Sequence, residues 1–295
     1  MNQREELQFY KKIDCIVPFI DVAVVKADTD ISHLDKKRLI NHDALGAKPK
    51  YDCKKNGKQY TYKNGVRIFQ PSHNQFDYIY KSTTEDRINI YLNRAEVAFD
   101  FISFSVTPSN IGSRVKQSLV HHRNGGNYFQ QYQNTETDYW GNRDLGHKFY
   151  PVAYSDRPSK ITGDPCYHLE YRILDKEKCA EHNLGVLSDL KFFSYTEFFR
   201  ANTLFYVYPT NYIIGVALAN DQNKEFKTIR GYEKFAKNYI AINEFSSSKP
   251  PIQELLSKIR WLKQVMHSRE NKPEHIEYTR KVHEILIPKI TRDTI

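Results

Sequence analysis

The sequence predicts an α+β protein: a mostly antiparallel sheet with flanking helices and a helical tail at the C-terminal end. Three observations carry that expectation. Residues 50–70 hold two Asn-Gly dipeptides, Asn56-Gly57 and Asn64-Gly65, between strand-like runs, and Asn-Gly is the strongest short hairpin signal. The run Ile88–Val106 alternates at the two-residue period of a strand, which makes it the clearest long strand in the chain. From Ile252 onward the pattern is that of two amphipathic helices behind a Ser/Pro-rich linker, residues 246–251.

The elements follow in order. A short helix is predicted from Ile31 to Gly46, with Ser32 and Asp35 as a capping box and Gly46 as the stop. The Asn-Gly meander comes next, then a strand over Phe76–Tyr80. In the Ile88–Val106 strand, Ala95, Val97, Phe99 and Phe101 share one face, while Arg94, Glu96 and Asp100 share the other. Thr107-Pro108 supplies an N-cap and a first-turn proline for a helix ending at Gly125-Gly126. That helix is basic, with Arg114, Lys116 and Arg123 unopposed by any acid. Strands are predicted over Thr135–Trp140, Lys148–Tyr154 and Cys166–Leu174. A helix over Leu187–Ala201, a strand over Leu204–Tyr208, a strand or helix start over Tyr212–Ala219 and a helix over Tyr232–Phe245 complete a first unit, residues 1–245. The tail, residues 252–295, is the second. Lys249–Arg292 carries ten Lys/Arg against five Asp/Glu. Such a mix makes a solvated helix face, and on a basic protein it can also grip phosphates.

Composition narrows the function. The 295 residues carry 44 Lys+Arg against 35 Asp+Glu, a net charge of +9, which suits a polyanion partner. Tyr and Phe number 21 and 17 against two Trp. Most of these rings must fill the core, but Tyr interleaved with basic groups also fits single-stranded nucleic acid, where bases stack on rings. No run approaches 18 apolar residues, so a membrane span is not expected. The first residues lack the apolar core of a secretory signal. Cys15, Cys53, Cys166 and Cys179 are too few and too scattered for a disulfide scaffold. A soluble cytoplasmic protein is the expectation.

Common catalytic motifs are missing: no GxxxxGK[ST], no GxGxxG opening a helix, no HExxH and no GxSxG. Cys166, His168, Cys179 and His182 fall within 17 residues, but their spacing matches no common zinc pattern. The informative feature is a pair of strands with matching polar faces. Arg94, Glu96 and Asp100 alternate with apolar residues on one, and His168, Glu170 and Arg172 do so on the other. Mixed acids and bases on a strand face can simply form salt bridges. They can also hold a hard cation that neutralises charge developing on a phosphodiester. Between the two strands, Lys148, Tyr150, Val152, Tyr154 and Asp156 share a face of a third. A phenol beside a metal and a cation can attack phosphorus. At pH 7 only about a thousandth of an ordinary phenol is ionised, so roughly 4 kcal/mol of activation must come from its surroundings.

The order RAEVAFDF, TETDYWGNR, FYPVAYSDR, HLEYRI, spanning about residues 90–175, resembles the rolling-circle replication initiators of the trans-acting plasmid class and the related filamentous-phage initiators. Arg94, Glu96, Ala98 and Asp100 match the first motif, with Glu in place of an Asp. Thr137, Tyr139, Gly141, Asn142 and Arg143 match the second, with Asn in place of Ser. Tyr154 stands nearest the nucleophile position, Tyr150 is the alternative, and His168, Glu170 and Arg172 match the last motif.

The resemblance implies a saddle-like fold of two similar halves and a homodimer that nicks origin DNA. The nucleophilic tyrosine would stay joined to the 5′ phosphate and free a 3′ hydroxyl. It further implies Mg²⁺ or Mn²⁺ held by Glu96, Asp100 and Glu170, with Arg94, Lys148 and Arg172 positioning the phosphate or orienting the acids. Arg114, Lys116, Arg123, Arg143, Arg157, Lys258, Arg260 and Lys263 are the basic residues expected to meet DNA. A host helicase and DNA polymerase would be partners, since the chain has no P-loop. The alternative function is an origin-binding protein that does not cut, and a third is a structural phage protein whose aromatics are all core.

Overall fold

The computed structural model describes residues 3–31, 33–34, 64–120, 130–131, 137–140, 146–187, 190, 193–205, 215, 218–219, 222–228, 230–231, 234–238 and 273–293. In chain order the elements are α1 (Gln3–Tyr10), β1 (Cys15–Ala27), β2 (Gly65–Phe69), α2 (His73–Glu85), β3 (Ile90–Ile102), α3 (Pro108–Ser118), β4 (Leu119–Val120) and β5 (Gln130–Gln131). There follow β6 (Thr137–Tyr139), β7 (Phe149–Tyr154), β8 (Cys166–Ile173), α4 (Lys176–Glu181), α5 (Tyr195–Asn202), β9 (Leu204–Phe205) and α6 (Pro273–Leu286). Seven strands form one antiparallel sheet in the order β2-β1-β3-β8-β7-β6-β5. The expected α+β class, an antiparallel sheet with flanking helices and a C-terminal helix, is what the chain adopts.

Alternation decides which face of the sheet goes inward. Ala95, Val97, Phe99 and Phe101 of β3, with Tyr167, Leu169, Tyr171 and Ile173 of β8, join one core with Phe76 and Ile79 of α2, Ile111 and Val115 of α3, and Phe198 and Phe199 of α5. Each such side chain stabilises the fold by about 1.5–3 kcal/mol. Gly112 lets α3 lie close on β8, because a Cβ there would come within 2.9 Å of the Tyr167 ring. The opposite face carries the acids and bases.

The structure departs from the sequence expectations in several places. Helix α3 ends at Ser118, where β4 begins, rather than at Gly125-Gly126, and α1 is a helix that the sequence expectations do not contain. Residues 76–80 are not a strand but the middle of α2, where Phe76, Ile79 and Thr83 are buried at helical spacing and Ser72 with Gln75 forms a capping box. The helix expected from Leu187 begins only at Tyr195, since Ser194 supplies the cap by accepting from Glu197 N–H at 3.0 Å. Helix α4 has no counterpart among the expected elements; Asp175 is its N-cap, with a carboxylate that accepts from Lys178 N–H at 2.7 Å. Strand β1 likewise has no counterpart among the expected elements, although it pairs along its whole length with β3. The Ile31–Gly46 helix, apart from three of its residues, and the Asn56-Gly57 turn lie outside the described residues, whereas Asn64 stands in a turn that opens β2 at Gly65.

The last described segment is built into the core. Tyr278, Val282 and Leu286 of α6 are fully buried in the same cluster as β3 and β8. Beyond it Ile290 bridges in parallel to Ile16, and Thr291 N–H donates to Ile16 O at 2.9 Å. The Asp293 carboxylate then accepts from Thr196 N–H at 2.7 Å and from the Ser194 hydroxyl at 2.8 Å, capping α5. Among the described residues, no helix is long and apolar enough to cross a membrane.

Candidate metal centre

Register brings the polar residues together. In the β3–β8 pair Asp100 stands opposite His168, Ala98 opposite Glu170 and Glu96 opposite Arg172. In β7–β8, Tyr154 stands opposite His168 and Tyr150 opposite Arg172. The two-residue period then lines Glu96, Asp100, His168, Glu170, Arg172, Tyr150 and Tyr154 along one face. All but Arg172 are buried.

A β-bulge completes the site. Ile20 pairs with Val97 and Val22 with Glu96, so Asp21 is the extra residue in β1, and a bulge of this kind re-aims a side chain. Buried Asp21 joins His168 and Glu170 in a group whose candidate ligand atoms all lie within 4.8 Å of one another. This buried group can hold a metal ion.

The neighbours of each member are defined. His168 Nδ1 lies 2.6 Å from Asp100 Oδ1, and His168 Nε2 lies 3.3 Å from Glu170 Oε2. Arg172 Nε donates to Glu170 Oε1 at 2.6 Å. Asp21 accepts from the Gln70 amide and from the Lys160 ammonium. Gln70 sits at φ +39°, in the left-handed region, and this turns its N–H onto Asp21 O at 2.9 Å. A backbone held there in a non-glycine residue is a cost that functional sites commonly carry. Arg94 is paired with Glu96. Four carboxylates thus face four cationic side chains, Arg94, Lys160, Arg172 and His168.

The electrostatics follow from that balance. Burial disfavours an imidazolium, but the hydrogen bonds to Asp100 and Glu170 outweigh it and raise His168 to about 9. Burial likewise opposes ionisation of Glu170, yet His168 and Arg172 hold it at about 2. Glu96 goes the other way: burial, then repulsion from Glu170, raises it. The Tyr154 phenol is pushed well above its ordinary range by burial and by Glu170, Asp21 and Asp100, with Arg157 opposing.

No protein-family model matches the chain, and no curated protein matches it. The site therefore stands on its own geometry. The donor set fits a divalent cation: two carboxylates and an imidazole, the latter backed at its second nitrogen by Asp100, which is the usual outer partner of a metal-bound histidine. Of the three acids expected to bind metal, Glu170 belongs to the group, Asp100 stands behind His168, and Glu96 lies beside Arg94. Asp21 and His168, rather than Glu96 and Asp100, are the side chains that join Glu170 in this group.

The two tyrosines are not equivalent. Tyr154 is 9% exposed, and its ring stacks on His168 with centroids 4.4 Å apart at 25°. Arg157 sits 5.5 Å from the same ring. Tyr150 is four residues back along β7, about 13 Å at strand rise, beside Arg172. Lys148 is farther still: it precedes β7, is exposed, and pairs with Asp175 at 2.7 Å, so the structure does not bring it to the site. Arg114 lies on α3 with its guanidinium 5.5 Å from the Phe9 ring. Lys116 also lies on α3. Arg123, Arg143, Lys258, Arg260 and Lys263 lie outside the described residues. The Cys/His set does not gather either: Cys179 is buried in the helical core, while His168 is on the polar face.

Proposed function

We propose that the protein is a metal-dependent DNA-nicking transesterase that initiates replication at an origin, with Tyr154 as nucleophile. The observation that carries the reading is the stacking of Tyr154 on His168, which puts a phenol next to a buried metal-ligand group with Arg157 over its ring. Asp21, His168 and Glu170 would hold the ion, which on binding would displace the proton that His168 otherwise carries at the nitrogen facing Glu170. A bound dication supplies positive charge where a phosphodiester gains negative charge in its transition state. Of Mg²⁺ and Mn²⁺, the second is the better match, because the donor set includes an imidazole and Mg²⁺ prefers an all-oxygen shell.

The chain's own residues do the rest. Tyr154 Oη forms a bond to phosphorus, the bond from phosphorus to the 3′ oxygen breaks, and the phenolic proton ends on that oxygen. DNA is left joined to Tyr154 through its 5′ phosphate, with a free 3′ hydroxyl. Arg157, 5.5 Å from the Tyr154 ring, would meet phosphate oxygens, Arg172 would orient Glu170 through their hydrogen bond, and Asp100 would fix the ring of His168. The carboxylates around Tyr154 oppose its ionisation, so the phenol is held inactive until charge of opposite sign enters the site. A homodimer acting with a host helicase and polymerase belongs to the same reading.

One observation favours a second reading, a DNA-binding protein that does not cut. The four carboxylates are already balanced by Arg94, Lys160, Arg172 and His168, as a purely structural network would be. The deciding experiment incubates the protein with supercoiled plasmid carrying its coding region and flanking DNA, with Mn²⁺ or with chelator. Relaxed circles bearing covalently bound protein, dependent on Mn²⁺ and abolished by Tyr154→Phe, support the nicking reading. Tight binding with no relaxation supports the second.

A further inference from the structure

Phe104 is the most exposed large hydrophobic side chain among the described residues, at 84%. It follows the end of β3, and its loop is fixed rather than loose. Phe104 N–H donates to Asp14 Oδ2 at 2.6 Å. The Ser103 hydroxyl donates to Lys12 O at 2.6 Å, and its oxygen accepts from the N–H groups of Ser105 and Val106, both at 3.2 Å. A ring presented on backbone that is already ordered loses little entropy when something stacks on it.

The surroundings say what that something is. Lys11 and Lys12 are exposed, and the Lys12 carbonyl is tied to the Phe104 loop. Among the described residues neither ammonium is in an ion pair. Lys289 adds a third ammonium, donating to Lys11 O at 2.8 Å. An apolar protein groove or a bilayer would call for further apolar side chains around the ring, but Ser103 and Ser105 flank it. A flat π-surface on a loop tied to the Lys11–Lys12 segment, where two ammoniums outnumber the one Asp14 carboxylate that accepts from Phe104 N–H, fits an unpaired nucleotide strand, whose bases stack and whose phosphates carry charge.

Position agrees. Phe104 is four residues beyond Asp100, so their Cα atoms are at most about 14 Å apart. Strand β3 ends where β8 begins and β7 ends, since Ile102 pairs with Cys166 and Tyr154 with His168. Phe104 and Tyr154 therefore lie at the same end of the sheet. We propose that Phe104, with Lys11 and Lys12, is a stacking platform for an unpaired DNA base a few nucleotides from the cleavage position. This rests on the reading of DNA as the substrate, not on catalysis.

The test separates the two. A labelled twelve-nucleotide oligothymidylate is titrated with the full chain in chelator, where no cutting is possible, and nicking is assayed separately. Phe104→Ala should weaken binding about five- to 100-fold, without changing the slope of log affinity against log salt. Phe104→Trp should bind within about threefold of the parent, with its indole fluorescence quenched on binding. Lys11→Ala and Lys12→Ala should each flatten the salt slope by a little under one unit. Phe104 is outside the core, so loss of fold will not imitate the result, and circular dichroism checks this. Affinity of Phe104→Ala within twofold of the parent overturns the platform. A parent that binds no oligonucleotide overturns both the platform and the DNA reading. Stacking without nicking leaves the platform standing and removes the nuclease.

Discussion

Replacing Glu170 by Gln tests the charge network directly. Glu170 is buried and accepts from Arg172 and His168, at 2.6 and 3.3 Å, and its carboxyl is held at about 2. A carboxyl depressed from 4.5 in the unfolded chain to 2 in the native state contributes stability that is fully present above pH 4.5. That contribution is lost as pH falls through 2. At 1.36 kcal/mol per unit it amounts to about 3 kcal/mol at pH 7 and about 1 kcal/mol at pH 3. Glutamine keeps the shape but removes the charge, leaving half-buried Arg172 without its charged partner; because that guanidinium still reaches water, the cost stays toward the low end of the roughly 3–5 kcal/mol of a fully buried pair. Urea unfolding of parent and Glu170→Gln should therefore differ by about 3 kcal/mol at pH 7, with the gap narrowing toward pH 3. A gap below about 1 kcal/mol that does not change with pH would refute the reasoning, because Glu170 would then not be held ionised by its neighbours.

His168 gives the opposite pH signature. Its folded value of about 9 lies above the ordinary 6.5, so its stabilisation is complete below pH 6.5 and disappears as pH rises through 9. The parent should lose thermal stability between pH 7 and 9.5, and His168→Gln should show a flatter profile. Gly112→Ala should destabilise by about 1–3 kcal/mol in urea, because the new methyl meets the buried Tyr167 ring at 2.9 Å. Truncation after Ser248 removes Tyr278, Val282 and Leu286 from the core, worth roughly 6 kcal/mol together. That approaches the whole stability of a typical domain, so cooperative unfolding should be lost. A cooperative, fully folded truncation product would show that the helical tail is separable.

Much of the site was legible because it rests on strand alternation. The two-residue period placed Arg94, Glu96 and Asp100 opposite the core face of β3, and the same period placed His168, Glu170 and Arg172 on the matching face of β8. Asp21 was not found, although a single acid inside the apolar run Ile16–Val25 is a readable signal. What no pattern states is the bulge that turns this acid toward His168, since it depends on how β1 pairs with β3. Lys160 and Gln70 reach Asp21 from loops far away in sequence, which periodicity cannot register. The mistaken strand at Phe76–Tyr80 had a local remedy: Ser72 and Gln75 form a capping box, and Phe76, Ile79 and Thr83 repeat at helical spacing. Lys148 fell on the expected strand face, but alternation says nothing of distance along a strand, and it stands about 20 Å from Tyr154 at strand rise.

The central claim is a covalent bond between Tyr154 and the 5′ phosphate of cut DNA. The most direct measurement uses a library of 3′-labelled single-stranded oligonucleotides incubated with the full chain and Mn²⁺, followed by a denaturing gel and peptide mapping by mass. The account predicts a labelled protein band that needs Mn²⁺, carries its nucleotide on Tyr154 and disappears in Tyr154→Phe while oligonucleotide affinity is kept. A nucleotide mapped to Tyr150, or an adduct undiminished in Tyr154→Phe, would contradict the assignment of the nucleophile. No adduct on any sequence in the presence of tight DNA binding would contradict the enzyme itself.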